Sequence, residues 1–262
     1  SPGFGSVAKY IATSTLEAGL DVKSMAETST KVFILEVMGR HAGWIAAASC
    51  LAATKAGDPP HIILLPEVPF EKTKFITQVK QTVKEQGYCV IVASEGTQTK
   101  NGKFLADSGL TDAFGHKQLG GVAPVLAGMI SKIGLKNHWA VADYLQRSAR
   151  HIASKTDLDQ AYAVGEHAVK LAIAGKTALM PIIKRTSDSP YKWKIATAPL
   201  KNVANIEKTM PKKFISKNGF EITQAGKTYL SPLIKGEAPI KYVNGLPDIA
   251  ELKKIKVKKR LS

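Results

Sequence analysis

Apolar residues in this chain gather into three short runs: Val32 to Val37 (VFILEV), His61 to Leu65 (HIILL) and Tyr88 to Ala93 (YCVIVA). Each has strand length, and each is apolar enough for a strand buried on both faces. The segments between them have helical character. Trp44 to Ala53 is apolar and rich in alanine, and Glu71 to Gln86 places Phe75, Ile76, Val79 and Val83 on one side with lysines elsewhere. Strand, turn and helix in alternation predict an α/β fold built on a doubly wound parallel sheet.

The same reading extends to both flanks. After Pro2, Gly3 and Gly5 the chain turns helical, with Val7, Tyr10 and Ile11 on one face and Gly19 as a stop signal. Thr97 to Lys117 is polar and dotted with glycine, a long loop with Phe104, Leu105 and Phe114-Gly115-His116 as anchors. Gly120-Gly121 leads into a helix from Ala123 to Ile133, and Asn137 to Asp143 (NHWAVAD) reads as a strand. Thr156 to Ala174 is the best-marked helix. Thr156 and Asp159 have capping-box spacing, Leu158, Tyr162, Gly165, Val169 and Ala172 form a stripe, and Gly175 ends it. A glycine inside that stripe implies close packing on a neighbour. Lys176 to Lys184 and Trp193 to Ala198 read as paired strands with one wet face. Asn202 to Ser262 is mostly polar helix and loop without evident chemistry.

Ligands of parallel sheets collect at the carboxyl ends of the strands. The first strand runs into Met38-Gly39-Arg40-His41-Ala42-Gly43, so Arg40 is a cation beside the N–H groups of a helix start, a combination suited to a phosphate ester. Such turns also occur in α/β domains that bind no phosphate. Glu95 closes the third strand, either as a loop acid or as a hydrogen-bond acceptor. Tyr144 and Arg147 lie three apart beyond NHWAVAD, as a cap and a surface arginine or as a pair with a shared role. SPGFGS at the start lacks the lysine of a phosphate-binding P-loop and reads as a helix entry.

The literal residues say more than the spacing. EVMGRHAGWIAA resembles the signature of the phosphofructokinases, in which Met38, Gly39 and Arg40 would line a fructose 6-phosphate pocket, and its His-Ala-Gly-Trp continuation is most similar to the pyrophosphate-dependent branch. VASEG resembles the strand end whose glutamate, here Glu95, accepts hydrogen bonds from sugar hydroxyls. Tyr144-Leu145-Gln146-Arg147 resembles the pyrophosphate-dependent enzymes, with Arg147 on the sugar phosphate and Tyr144 hydrogen-bonded to it. In the ATP-dependent bacterial enzymes a histidine takes the place of Tyr144. Lys31 and, more loosely, Lys136 fall where the family places cations that reach a neighbouring subunit's sugar phosphate, which implies a homo-oligomer. PGFGSVAKYIA resembles the helix after the family's catalytic Thr-Ile-Asp-Asn-Asp segment, expected upstream of Ser1.

The resemblance covers most of residues 1–200. It implies phosphoryl transfer to the C1 hydroxyl of fructose 6-phosphate, with pyrophosphate as donor or, alternatively, ATP, and with Mg2+ as cofactor. The family's donor-phosphate loop and magnesium carboxylates are not found here: the sequence has no Gly-Gly-Asp and no paired acids at a strand end. It therefore reads as the acceptor half of the site, inactive on its own. Residues 1–145 would form one lobe and 146–262 the remainder of a second, whose missing core strands would leave sheet edge and apolar surface open.

Composition narrows the alternatives. At 44% apolar and 22% charged residues, the 262-residue chain is not a disordered one. Cys50 and Cys89 sit in apolar runs and read as buried thiols of a reducing compartment. No apolar run reaches the length of a membrane span, and the N-terminal residues show no signal-peptide core, so the cytoplasm is expected. A first residue other than Met suggests a chain that has been processed or cut from something longer. Of the net charge of +16, much lies in residues 201–262, which hold 14 Lys and Arg against 5 Asp and Glu. The basic run from Lys253 to Arg260 comes without interleaved aromatics or zinc-ligand spacing, which argues against nucleic acid but leaves a basic scaffold, or a sugar-phosphate-binding chain that is not an enzyme, as a further alternative. The histidines show no metal-ligand spacing.

Overall fold

The computed structural model describes residues 3–111, 117–119, 121–251 and 253–256. Its centre is a four-stranded parallel sheet made of β1 (Val32–Val37), β2 (Ile62–Leu64), β3 (Cys89–Ser94) and β6 (Asn137–Val141), in the spatial order β2-β3-β1-β6. In register, Val37 stands beside Ser94 and Glu36 beside Val141, so the carboxyl ends of the three strands lie along one edge.

The period of two along each strand explains the layers. Ile34 and Ile91 face helices α3 (Lys72–Gln86) and α4 (Val122–Ser131), whose Phe75, Val79, Leu126 and Ile130 are fully buried against them. Leu35, Val37 and Val92 face the other way, onto α1 (Phe4–Met25) and α2 (Trp44–Ala48) through Ile11, Ala46 and Ala47. Helices therefore cover both faces, the doubly wound arrangement expected from the pattern.

Several local expectations are corrected. α1 does not stop at Gly19 but continues to Met25. A Cβ at Gly19 would come within 2.5 Å of Pro59 Cγ, so this glycine lets a loop approach the helix closely. The stretch from Thr97 to Lys117 is not all loop: it contains strand β4 (Asp107–Thr111), which pairs antiparallel with β5 (Lys117–Leu119). Neither strand alternates apolar and polar residues, so periodicity offered no signal. Phe104 and Leu105 do anchor this segment: Phe104 meets the His41 ring edge-on, and Leu105 packs on the α3–α4 core. The anchors named at Phe114, Gly115 and His116, and Gly120, lie outside the described residues.

After β6 comes the single turn α5 (Leu145–Ser148), then α6 (Lys155–Ile173) and a hairpin of β7 (Leu179–Asp188) and β8 (Tyr191–Pro199). The cap of α6 is Ser154, whose hydroxyl accepts from the Asp157 amide, and Thr156 lies inside the first turn. The α6 stripe is a correction too: Tyr162 is 77% and Val169 59% exposed, and nothing lies within 4 Å of a Cβ built on Gly165.

The chain does not stay on one side of residue 145. Met210, Phe214, Ile222 and Leu230 are buried in the same cluster as Ile11, Leu35 and Val37, and the Phe220 carbonyl accepts from the Ile63 amide at 2.8 Å. The C-terminal segment, which includes α7 (Gln224–Leu230), thus closes the face formed by α1 and α2. Among the described residues no helix is long and apolar enough to cross a membrane. Both thiols are buried and free. Desolvation pushes Cys50 up to about 12 and raises Cys89 as well, which leaves them unreactive.

Candidate functional site

Where β1 and β3 end, two turns interlock. Gly39 has φ +137°, a conformation that disfavours any side chain. Its N–H donates to Glu95 Oε1 at 3.1 Å, and its carbonyl accepts from Ser94 Oγ at 2.5 Å. The Glu95 amide in turn donates to the Val37 carbonyl at 2.9 Å, which extends the strand ladder by one step. On the far side, a Cβ on Gly96 would sit 1.9 Å from the Arg40 carbonyl oxygen, so backbone meets backbone there and only glycine fits. Met38, Gly39, Arg40 and Glu95 are therefore held as one unit at the sheet's carboxyl edge, as the strand-end reading expected. Arg40 is half-buried and forms no ion pair with a described residue.

The structure adds two glutamates that sequence reasoning missed. Glu36, on β1, is 5% exposed, and its Oε2 accepts from the Ala123 amide at 2.8 Å in the first turn of α4. Burial raises its pKa against the opposing pull of the Ala123 and Val122 amides, and the carboxylates of Glu95 and Asp143 push it further up. A lone acid inside VFILEV was the available signal. Glu67 accepts from the Gly43 amide at 3.0 Å and from the Met210 amide at 2.9 Å, which pins the start of α2 to the C-terminal segment. Nothing in the local pattern marks it, because its partner lies far along the chain.

His41 and Trp44 serve the same closure. The Trp44 indole donates to the Lys208 carbonyl at 2.7 Å and packs against Phe214 and Tyr229. His41 Nδ1 lies 3.8 Å from Glu207.

At the end of β6, Tyr144 and Arg147 come together, with the guanidinium carbon 4.2 Å from the ring centroid. Both line a cavity of about 680 Å3 with Gly3, Ser148, Arg150 and Leu158 among its walls. Arg40 and Glu95 do not line it, although β6 is the neighbour of β1. In its wall, the Asp157 carboxylate takes hydrogen bonds from the Ser6 hydroxyl at 2.6 Å and the Ser6 amide at 3.2 Å. The N-terminus of α1 is thus occupied by a carboxylate, and its described residues, Gly3 to Ser6, form a helix entry and not a phosphate cradle.

Lys31 and Lys136 stand at the opposite end of the sheet, where the Lys31 amide donates to the Lys136 carbonyl at 2.9 Å. The six residues of β1 separate them from Arg40 by roughly 20 Å, so neither joins the groups at this chain's own carboxyl edge. The Lys31 ammonium is held by the Ala26 carbonyl, and that of Lys136 by Ser29 Oγ at 2.8 Å. Among the described residues no three His, Cys, Asp or Glu side chains group as metal ligands. The described residues therefore do not gather the oxygen ligands that a magnesium site needs.

A doubly wound α/β fold that gathers arginine, carboxylate and backbone N–H groups at the carboxyl edge of its sheet is the class of structure that holds small ligands there. The chain belongs to the phosphofructokinase family, whose model, Phosphofructokinase, matches residues 1–172. It is 63% identical over 262 residues to a Halomonas elongata protein named pyrophosphate–fructose 6-phosphate 1-phosphotransferase, covering 100% of this chain and 62% of that protein. A protein of the same name from Xanthomonas campestris is 57% identical over 99% of this chain and 63% of its own length. The crystal structure of a pyrophosphate-dependent phosphofructokinase from Marinobacter aquaeolei superposes with a TM-score of 0.88 at 58% identity, over 100% of this chain and 62% of that one. The chain therefore spans a little over three-fifths of the length of each of these three relatives.

Proposed function

We propose that this chain supplies the fructose 6-phosphate site of a pyrophosphate-dependent phosphofructokinase, a phosphotransferase of glycolysis. The observation that carries the proposal is the Met38–Arg40 turn locked onto Glu95 and Gly96 at the sheet's carboxyl edge. In this reading Arg147 neutralises the 6-phosphate and Tyr144 hydrogen-bonds to it, while Met38, Gly39 and Arg40 line the sugar's pocket. Glu95 keeps one oxygen on the Gly39 amide and has acceptor capacity left for a sugar hydroxyl. Held this way, the C1 oxygen attacks the terminal phosphorus of pyrophosphate. The bridging P–O bond breaks, inorganic phosphate leaves, and the hydroxyl proton passes to a base. The sequence holds no motif for the donor phosphate, its magnesium or that base, so these are assigned to residues outside it.

The companion expectations belong to the same proposal. α6 and the β7–β8 hairpin would form part of a second lobe, while residues 203–238 return to the first. Lys31 and Lys136 would act on a neighbouring copy in a homo-oligomer, and the enzyme would work in the cytoplasm. The test is calorimetric titration of fructose 6-phosphate into the chain and into Arg40→Ala and Arg147→Ala. Each variant is expected to lose ~1.5–3 kcal/mol, the scale of a charged hydrogen bond. Equal affinity in all three would remove the assignment. Turnover with magnesium and either pyrophosphate or ATP, with the upstream segment of a relative added back, then identifies the donor.

A further inference from the structure

The turn that presents Tyr144 and Arg147 is held by a residue to which the proposed function gives no role. β6 ends at Val141, and the Ala142 amide donates to the Glu36 carbonyl at 2.9 Å. Asp143 then swings into the left-handed region at φ +35°, which side-chain-bearing residues other than Asn and Asp seldom enter. Tyr144 is the N-cap of α5, a single turn of four residues that is far too short to hold itself. Because the Arg147 guanidinium stacks on the Tyr144 ring, a tilt of this turn moves both side chains together.

Gln146 sits inside that turn and is 1% exposed. Its Nε2 donates to the Asp143 carbonyl at 2.8 Å, which closes the left-handed step from within. Its Oε1 is fully buried and has no hydrogen-bond partner among the described residues. An unpaired buried amide oxygen costs stability, and a methionine of similar length would avoid that cost. What the amide contributes is therefore the Nε2 bond and the backbone conformation it holds. Gln146 does not line the cavity, so it acts through the turn and not on a ligand.

We propose that Gln146 is a positioning residue whose side-chain N–H, closed on the Asp143 carbonyl, fixes the left-handed turn that aims Tyr144 and Arg147 at the sugar phosphate. The ligand named here rests on the proposed function; the geometry does not. Two variants of the 262-residue chain test it: Gln146→Met, which deletes donor and orphan oxygen together at similar volume, and Gln146→Glu, which sets an acceptor against the Asp143 carbonyl. For Gln146→Met the expected result has three parts. The thermal midpoint stays at or above wild type, amide exchange across residues 144–148 quickens while β1 and β3 keep their protection, and the fructose 6-phosphate Kd rises about tenfold, the scale of one hydrogen bond. Gln146→Glu, which also buries a carboxylate, is expected to lower the midpoint and to weaken binding more than Gln146→Met. In Gln146→Met, a lowered midpoint with exchange quickened throughout the sheet would make Gln146 merely structural and overturn the proposal. So would unchanged binding in both variants while Arg147→Ala binds weakly, an outcome that leaves the sugar-phosphate reading standing. Unchanged binding in Arg147→Ala as well would remove that reading, and the positioning role with it.

Discussion

The β1–β3 half of this molecule and the α6–hairpin half are written in the same kind of residue and end differently. Ile34, Ile91 and Val92 are wholly buried, with helices on both sides of the sheet. On α6 the apolar positions recur with equally good helical spacing, yet Tyr162, Val169 and Ile173 are 77%, 59% and 83% exposed. The hairpin leaves Met180 and Ile183 partly open in the same way. An amphipathic pattern specifies which face of an element seeks cover, not which surface supplies it. Within this chain the first half finds its partners and the second does not.

The sharpest way to break the well-packed half is Gly96→Ala. The added methyl would lie 1.9 Å from the Arg40 carbonyl oxygen, and backbone cannot yield as a side-chain tip does. A stability loss above ~3 kcal/mol by urea titration is expected, at the high end for point substitutions. Ile34→Ala follows, with ~2–5 kcal/mol for a large-to-small change in a packed core. A loss near zero in either would mean that the two turns, or the two layers, are looser than the distances indicate.

Glu36→Gln sharpens the comparison through pH. Burial raises the folded-state pKa of Glu36, so the folded chain holds this proton more tightly than the unfolded one. Its contribution is fully present below the ordinary carboxylate value near 4.5 and is lost as pH rises through the folded value. Glutamine can keep an oxygen on the Ala123 amide without the charge. The variant should therefore lack this stretch of pH dependence and be at least as stable as wild type at neutral pH. Chemical denaturation of both proteins across pH 4–8 checks it, and parallel curves would show that Glu36 does not titrate differently on folding.

The smallest effects belong to the open half. Tyr162→Ser with Val169→Ser should shift stability by no more than ~0.5 kcal/mol, since both side chains face solvent. The same pair should reduce self-association in sedimentation velocity, because contiguous exposed apolar surface is what drives it. A large loss of stability would show that the α6 stripe is covered after all.

The local sequence determined much of the sheet. VFILEV, HIILL and YCVIVA are strands because β-branched and aliphatic residues fill a surface buried on both faces. The glycines at 39 and 96, with Arg40 and Glu95 beside them, mark the carboxyl edge by local residue chemistry alone. The Tyr144–Arg147 pair was legible only through its resemblance to the family, since spacing left it open, and Gln146 between them was not legible, because its hydrogen bond depends on a left-handed residue three positions earlier. Tertiary structure alone decided that Glu67 bridges Gly43 to Met210, that Ser6 is held by Asp157, and that the C-terminal segment closes the face of α1 and α2. It also decided that Lys31 and Lys136 stand side by side, the amide of one on the carbonyl of the other. The physical reason is the same in each case. Periodicity and turn chemistry act over a few residues, whereas these contacts join residues far apart in the chain, 151 positions for Ser6 and Asp157 and more for Ile11 and Leu230, and only the packed sheet fixes which of them meet.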